Sequence, residues 1–124
     1  MSIAAIKCWP KAHCIALDND PIAVTATLEN AAHNSVIIGA AITPVGEIVG
    51  AFQLVLANIQ AHVLRVLKDD LIAKLAPGGT LILSGLLTPQ AQPLADEFVA
   101  AGLRLIRVRP STTDAQWSCA VLAL

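Results

Sequence analysis

Residues 52–87 constrain the fold of this chain more than any other segment, because they read as a strand, a helix and a second strand. Residues 52–57 form a continuous apolar run of strand length, and Asn58 follows directly after it. A helical pattern follows, then a Pro-Gly-Gly turn at 77–79 and a second apolar run that ends in Ser-Gly at 84–85. Strands that are apolar on both faces are typical of a parallel sheet covered by helices. Polar residues at the carboxyl ends of such strands mark the edge where open α/β sheets bind ligands.

The rest of the chain supplies further helices and strands. Asp20 is a good N-cap residue, Pro21 suits the first helical position, and Gly102 is placed to end a helix. The order of elements predicts a three-layer α/β fold with a mostly parallel sheet, helices on both faces and an antiparallel pair of strands at one edge. The predicted helices span residues 2–7, 21–32, 61–75 and 93–101, and the predicted strands span residues 14–17, 35–42, 52–57, 80–84, 103–108 and 116–122.

The length and composition indicate one domain that spans residues 1–124 and is large enough for a hydrophobic core. Hydrophobic residues make up 56% of the chain and charged residues 14%, which excludes a disordered chain. The net charge of −1 provides no general attraction for nucleic acid or for an anionic membrane. No apolar run reaches the roughly 18 residues that a membrane-spanning helix needs, and no signal peptide is predicted. We therefore expect neither nucleic acid nor a membrane as a partner.

The cysteines and histidines give no sign of a disulfide framework or a metal site. Cys8, Cys14 and Cys119 are an odd number without a Cys-x-x-Cys pair. This usage predicts a reduced, cytoplasmic protein with buried thiols. The three histidines are scattered through the chain without the spacing of metal ligands, so no metal site is predicted.

Several of these motifs together resemble the class I methyltransferases that use S-adenosylmethionine (SAM). The resemblance is closest to the bacterial enzymes that methylate amines of ribosomal protein L11. In that family, a strand ending in Ala-Asn-Ile is followed by a helix, a Pro-Gly-Gly turn and a strand closing with Ser-Gly-Ile or Ser-Gly-Leu. The same order and spacing occur here at residues 57–59, 77–79 and 84–86. Further matches extend the resemblance to almost the whole chain: the acidic turn at 17–21, Glu-Asn-Ala at 29–31, and Trp117.

The resemblance implies a Rossmann-like fold, SAM as the cofactor and Asp18 as a cofactor-binding residue. Asp18 follows a predicted strand, where the family's acidic residue accepts hydrogen bonds from both ribose hydroxyls of SAM. A carboxylate suits this role because it only accepts hydrogen bonds and can bind two hydroxyls at once. Asn19, in the same turn, is the second candidate for cofactor binding. In the alternative interpretation, Asp18 is a solvated turn residue that helps to cap the next helix.

The resemblance also implies that Asn58 positions the substrate, a protein amine at a lysine side chain or at an N-terminus. In the family, the asparagine side chain and nearby carbonyls hold the amine so that its lone pair faces the methyl group of SAM. Methyl transfer is an in-line displacement, so the positioning of a neutral amine is a large part of the catalysis. The alternative role for Asn58 is a cap of the following helix. The family usually has an acidic residue where this chain has Gln53.

Ser84, Gly85 and Trp117 are weaker candidates for the same site. Ser84 and Gly85 are placed to line the crevice beside Asn58, but a Ser-Gly strand end is also an ordinary turn, which is the interpretation we favour. Trp117 matches a tryptophan in the last strand of the family, and packing is its expected role. The arginines within residues 103–109 fall on both faces of one strand, which indicates a solvated edge strand and not a phosphate site.

The glycine-rich loop of the resembled family has no counterpart within these 124 residues. In the family this loop follows the first strand and cradles SAM, whereas residues 1–7 read as the helix that comes after it. No glycine occurs before Gly39. We therefore expect an N-terminally truncated domain whose SAM site is incomplete. The missing strand would lie between residues 14–17 and residues 52–57, so both of these strands are expected to have an open edge.

These features of the sequence are compatible with two functions. In the first, the chain is a methyltransferase by descent and by activity. In the second, it is a truncated methyltransferase fold that no longer catalyses and serves as a binding or assembly module. The open strand edges and the low charged fraction favour a homodimer. If the strands at 14–17 and 52–57 instead pair with each other, a monomer is expected.

Overall fold

Two compact units, residues 1–48 and residues 49–124, make up the chain in a computed structural model that describes all 124 residues. In each unit two parallel strands are connected through helices, which confirms the predicted α/β class. That the two units form a single domain stays a prediction.

The first unit is a strand-helix-strand motif preceded by a short helix. Its elements are α1 (Ser2–Cys8), β1 (Ile15–Leu17), α2 (Pro21–His33), β2 (Gly39–Ala41) and a 3-10 helix (Val45–Glu47). Strands β1 and β2 pair in parallel, with Ile15 opposite Gly39. The core consists of Ile6, Ala31 and Ile38, which are buried together under partly buried apolar neighbours. A core of this size is small, so the unit buries little apolar surface of its own.

Helix α2 begins where the sequence predicts. Asp20 is its N-cap, and its Oδ1 atom accepts a hydrogen bond from the Ile22 amide at 2.8 Å. Pro21 occupies the first helical position, where its missing N–H leaves no partner unsatisfied. The predicted cap is therefore confirmed.

The end of α2 explains why strand β2 is shorter than predicted. Ser35 adopts a φ of 54°, and the Val36 amide donates a hydrogen bond to the Ala31 carbonyl at 3.0 Å. These two residues turn the chain out of the helix and satisfy one of its last carbonyls. The strand predicted over residues 35–42 therefore contains only Gly39–Ala41.

The second unit is a four-stranded sheet with three helices. Its elements are β3 (Phe52–Asn58), α3 (Ala61–Val66), α4 (Lys68–Ala73), β4 (Leu75–Leu87), α5 (Thr88–Ala100), β5 (Arg104–Pro110) and β6 (Trp117–Ala123). The strand order is β3-β4-β6-β5, in which β3 and β4 are parallel and the other two pairs are antiparallel. The predicted antiparallel edge pair is confirmed. The largest fully buried side chains are Phe98, Leu64, Leu81, Leu83, Leu86, Leu94 and Leu122.

Three elements of the second unit differ most from the prediction in their bounds. The helix predicted over residues 61–75 is divided at Leu67 into α3 and α4. Strand β4 is longer than residues 80–84, because Leu75 already pairs with Phe52 before a bulge that contains the Pro-Gly-Gly turn. Helix α5 starts at Thr88 and includes Pro93. Its buried residues recur at helical spacing, so their packing outweighs the hydrogen bond that a proline removes.

Strands β1 and β3 both have an open edge. β1 pairs with β2 alone, and β3 lies at the end of the strand order with β4 as its single partner. The burial of β3 suits an interior strand, since Leu54, Val55 and Leu56 are all partly buried although neighbouring residues point to opposite faces. The predicted open edges are therefore confirmed.

The cysteines are less buried than predicted. All three are free, and Cys8 is exposed at the end of the short helix α1, while Cys14 and Cys119 are half-buried. The expectation of buried thiols was wrong for Cys8. The longest helices, α2 and α5, have 13 residues each, and no helix combines the length and the hydrophobicity that crossing a bilayer requires.

Candidate functional site

A cleft of about 480 Å³ lies in the second unit at the carboxyl ends of β3 and β4. Its lining residues are Asn58, Ile59, Gln60, Gly85 and Trp117. The carboxyl ends of parallel strands are the usual ligand-binding edge of an α/β sheet. None of the lining side chains is ionisable, so the cleft offers hydrogen bonds and apolar surface without a fixed charge.

Asn58 lies at this edge because of the register between the two parallel strands. Asn58 is the last residue of β3 and pairs with Ser84 of β4, just after the buried pair Ala57 and Leu83. The Ser84 hydroxyl donates a hydrogen bond to the Asn58 Oδ1 atom at 3.0 Å. The structure therefore brings together two residues that lie 26 positions apart, although the interpretation favoured from the sequence for Ser84 is an ordinary turn.

The alternative role of Asn58 as a helix cap does not fit the geometry. Helix α3 begins at Ala61, its N-cap residue is Gln60, and no side chain caps it. The Asn58 side chain is instead bonded to Ser84 on the neighbouring strand. An exposed amide that is held in place but does not support a helix is available for binding a ligand.

Gly85 is more than an ordinary turn residue. Its φ of +72° lies in the left-handed region, which side chains rarely adopt. A Cβ atom at this position would lie 2.7 Å from the Asn58 Oδ1 atom, closer than Cβ atoms approach in proteins. The close approach of Asn58 to the backbone of β4 therefore requires a glycine here. The sequence interpretation as a simple turn missed this contact.

Trp117 lines the cleft, although the sequence predicts only packing. It is the first residue of β6, pairs with Leu87 of β4 and is 46% exposed. Thr88 holds the loop that precedes Trp117. Its hydroxyl donates a hydrogen bond to the Ala115 carbonyl at 2.7 Å, and the same hydroxyl lies 2.9 Å from the Ser118 hydroxyl. Sequence reasoning missed Thr88 and Ser118, because their contact joins two segments that are not adjacent in the chain. Trp117 thus presents a large aromatic surface at a fixed place beside the cleft.

Asp18 and Asn19, the predicted cofactor-binding residues, lie in the first unit after β1. Both are exposed. The Asp18 amide donates to the Ala41 carbonyl at 3.2 Å, which continues the pairing of β1 with β2. The Asp18 Oδ1 atom accepts a hydrogen bond from the Asp20 amide at 3.0 Å. Asp18 therefore holds the turn before α2, while its carboxylate stays accessible to a ligand.

These residues fit one part of SAM. An accessible carboxylate at the end of a strand can accept the two ribose hydroxyls, since each carboxylate oxygen accepts more than one hydrogen bond. The methionine part requires a close approach of backbone, which glycine allows, and no glycine occurs before Gly39. Within this chain, the residues fit the ribose of SAM and not its methionine part.

Comparisons with known proteins agree with the motifs and the fold. A profile of the family described as "Ribosomal protein L11 methyltransferase (PrmA)" matches residues 1–123. The chain is 41% identical over 119 residues to the ribosomal protein L11 methyltransferase of Geobacter metallireducens. This match covers 96% of the chain and 38% of that protein. The chain therefore spans less than half the length of this relative.

Solved structures confirm the fold class. The crystal structure of ribosomal protein L11 methylase from Lactobacillus delbrueckii subsp. bulgaricus matches with a TM-score of 0.85 and 27% identity, over 98% of this chain and 62% of that one. The N-methyltransferase NodS from Bradyrhizobium japonicum WM9, in complex with S-adenosyl-l-homocysteine, matches with a TM-score of 0.67. Its 16% identity, over 90% of this chain and 66% of that one, shows the fold alone. The fold is that of the class I methyltransferases, and the chain belongs to the ribosomal protein L11 methyltransferase family.

Proposed function

We propose that this chain carries the amine-binding site of a SAM-dependent protein methyltransferase, with ribosomal protein L11 as the substrate. The observation that carries the proposal is the Asn58 amide, held by Ser84 and by the close approach to Gly85 beside an uncharged cleft. Family membership supports SAM as the cofactor, and the name of the Geobacter metallireducens relative supports the protein substrate. The three free cysteines support a reducing, cytoplasmic location.

Asn58 orients the amine in this proposal, and bound SAM would supply the methyl group, its S–CH₃ bond breaking as the N–CH₃ bond forms and its sulfur leaving as a neutral thioether. The Asn58 Oδ1 atom has two lone pairs, of which the Ser84 hydroxyl uses one. The second accepts an N–H of a neutral amine and so fixes the direction of the amine's own lone pair. In-line displacement depends on such alignment of the reacting atoms. Since no lining side chain is ionisable, the proton of the methylated amine passes to solvent.

Asp18 and Asn19 are the proposed cofactor-binding residues. The exposed Asp18 carboxylate accepts the ribose hydroxyls, and Asn19 lies next to it in the same turn. Binding of the remainder of SAM requires backbone that these 124 residues do not contain.

A chimera tests the proposed function and the role of Asn58. The part of the Geobacter metallireducens relative that precedes the matched region is joined to Met1 of this chain, and tritium transfer from SAM to ribosomal protein L11 is measured. We expect the chimera to methylate L11. The substitution Asn58→Ala is expected to lower kcat/KM about 100-fold, because a misplaced amine loses its alignment with the methyl group.

The control for this experiment is Asn30→Ala, which removes an exposed side-chain amide from helix α2. We expect this variant to retain the kcat/KM of the chimera. A chimera that binds SAM but leaves L11 unmethylated would contradict the proposed substrate. Equal activity of the Asn58→Ala and Asn30→Ala chimeras would contradict the role of Asn58.

A second candidate function is a binding or assembly module, and the open edges of β1 and β3 favour it. An edge strand presents unpaired backbone N–H and C=O groups that can pair with a strand of another chain. Gln53, the second residue of β3, is exposed and uncharged, and β3 contains no Lys or Pro that would block pairing. For the 124-residue chain alone, this function requires no cofactor.

We expect the purified chain to form a homodimer through the β3 edge. Light scattering at micromolar concentration should then give twice the chain mass of 12.9 kDa. The substitution Gln53→Lys places a charge on the edge strand and should shift the mass toward that of the monomer. Gln92→Lys, on the exposed face of α5, adds the same charge elsewhere and should leave the dimer intact. A monodisperse mass of 12.9 kDa for the unmodified chain would reject the homodimer.

A further inference from the structure

We propose that Ser84 is a positioning residue, which fixes the Asn58 amide in one orientation before any ligand is bound. The proposal rests on the proposed function in one respect, namely that a substrate amine would make use of this orientation. Its structural content concerns three residues at the ends of two neighbouring strands: Asn58, Ser84 and Gly85.

The pairing of β3 with β4 fixes the distance between the backbones of the two strand ends. Asn58 pairs with Ser84, and the preceding pair, Ala57 with Leu83, is buried at 7% and 0% exposure. Because parallel pairing is continuous up to this point, the Cα atoms of Asn58 and Ser84 have little freedom to move apart. The distance between their side chains is therefore set by the sheet and not by a flexible loop.

The Ser84 hydroxyl holds the Asn58 amide by its carbonyl side. It donates to the Asn58 Oδ1 atom at 3.0 Å, a distance within the normal range for a hydrogen bond. This bond directs the carbonyl side of the amide toward β4. The Asn58 side chain is exposed, and this hydrogen bond ties it to the neighbouring strand.

Gly85 makes this orientation sterically possible. The Asn58 Oδ1 atom occupies space that a Cβ atom at position 85 would approach to 2.7 Å. A glycine therefore leaves the room into which the carbonyl side of the amide fits. Ser84 and Gly85 thus act together: the first attracts the Asn58 oxygen toward β4, and the second leaves space for it there.

The consequence for recognition is a preorganised acceptor. With one lone pair bonded to Ser84, the Asn58 oxygen has a defined direction for its remaining lone pair. A ligand N–H group then meets an acceptor that does not have to be ordered on binding, which lowers the entropic cost of association. Ser84 need not touch the ligand to have this effect.

Side-chain NMR relaxation on the 124-residue chain tests the proposal without SAM or substrate. We expect an order parameter above about 0.8 for the Asn58 side-chain amide and below about 0.6 for the exposed Asn30 amide in the same sample. The substitution Ser84→Ala should lower the Asn58 value to that of Asn30. Ser84→Thr, which retains the hydroxyl, should restore it.

The measurement separates this proposal from the proposed function. An Asn58 order parameter as low as that of Asn30 in the unmodified chain would overturn the proposal. This outcome does not depend on whether the variants fold. An Asn58 value unchanged in Ser84→Ala would also overturn it. Failure of the chimera to methylate L11 would contradict the proposed function and would not alter the order parameter of Asn58.

Discussion

Calorimetry is expected to show no binding of SAM to the 124-residue chain at micromolar concentrations. The residues proposed to bind SAM are Asp18 and Asn19, which are exposed in the turn before α2 and would contact only its ribose. No glycine-rich loop that would bring backbone close to the methionine part precedes Gly39 within these 124 residues. Hydrogen bonds to a charged ligand contribute about 1.5–3 kcal/mol each, so the loss of two of them weakens binding by a thousandfold or so.

The controls for this prediction use the same calorimetric titration. Asp18→Ala should leave the flat isotherm of the chain unchanged, because the contact it removes is insufficient by itself. The chimera with the Geobacter metallireducens segment should bind SAM, and in that context Asp18→Ala should weaken the affinity. A micromolar isotherm for the 124-residue chain that Asp18→Ala abolishes would contradict the prediction and would show that the cofactor site is complete without the glycine-rich loop.

The sequence predicts the buried strands well because their residues are apolar on both faces. Strand β3 was expected over residues 52–57 and occupies Phe52–Asn58, and the antiparallel pair β5 and β6 was expected at one edge. The cap of α2 followed from Asp20 and its neighbouring proline. These features depend on local sequence or on the burial of a single element, so a single sequence contains the information that they require.

The errors in the prediction arise where long-range packing decides the local structure. Pro93 indicates a helix start, yet α5 begins at Thr88 because Ala91 and Leu94 belong to a continuous buried stripe. The run of residues 35–42 reads as a strand, but its first residues end α2 instead. Propensity is a weak predictor when burial elsewhere in the chain contributes more free energy.

The candidate site shows the same contrast between features that local sequence predicts and features that depend on long-range packing. The sequence predicts Asn58 at the crevice and favours an ordinary turn at Ser84, whereas the parallel register brings the two residues together. The requirement for glycine at position 85 was not predictable, because it depends on the distance from the Asn58 side chain on another strand. The exposure of Trp117 depends likewise on the pairing of β6 with the end of β4. Residue identities indicate which side chains are suited to a site, whereas register determines which of them meet.

Gly79→Ala is expected to lower the free energy of unfolding by about 3 kcal/mol. A Cβ atom at position 79 would lie 2.7 Å from the Ala76 carbonyl oxygen and 2.9 Å from the Phe52 carbonyl oxygen. Both are backbone atoms, and they sit where β4 bulges before it resumes pairing with β3. Since neither can rotate away as a side chain would, the strands must separate or the bulge must distort. Urea unfolding followed by circular dichroism measures the change.

The matched control is Gly39→Ala, which adds the same methyl group to a glycine in strand β2. The nearest atoms to a Cβ atom there are the Ile15 Cγ1 atom at 3.6 Å and the Cys14 carbonyl oxygen at 3.7 Å, which are ordinary contacts. We expect this variant to unfold within about 0.5 kcal/mol of the unmodified chain. Equal stability of the two variants would show that the bulge before β4 adapts to a side chain, and the Pro-Gly-Gly turn would then have no steric need for its second glycine.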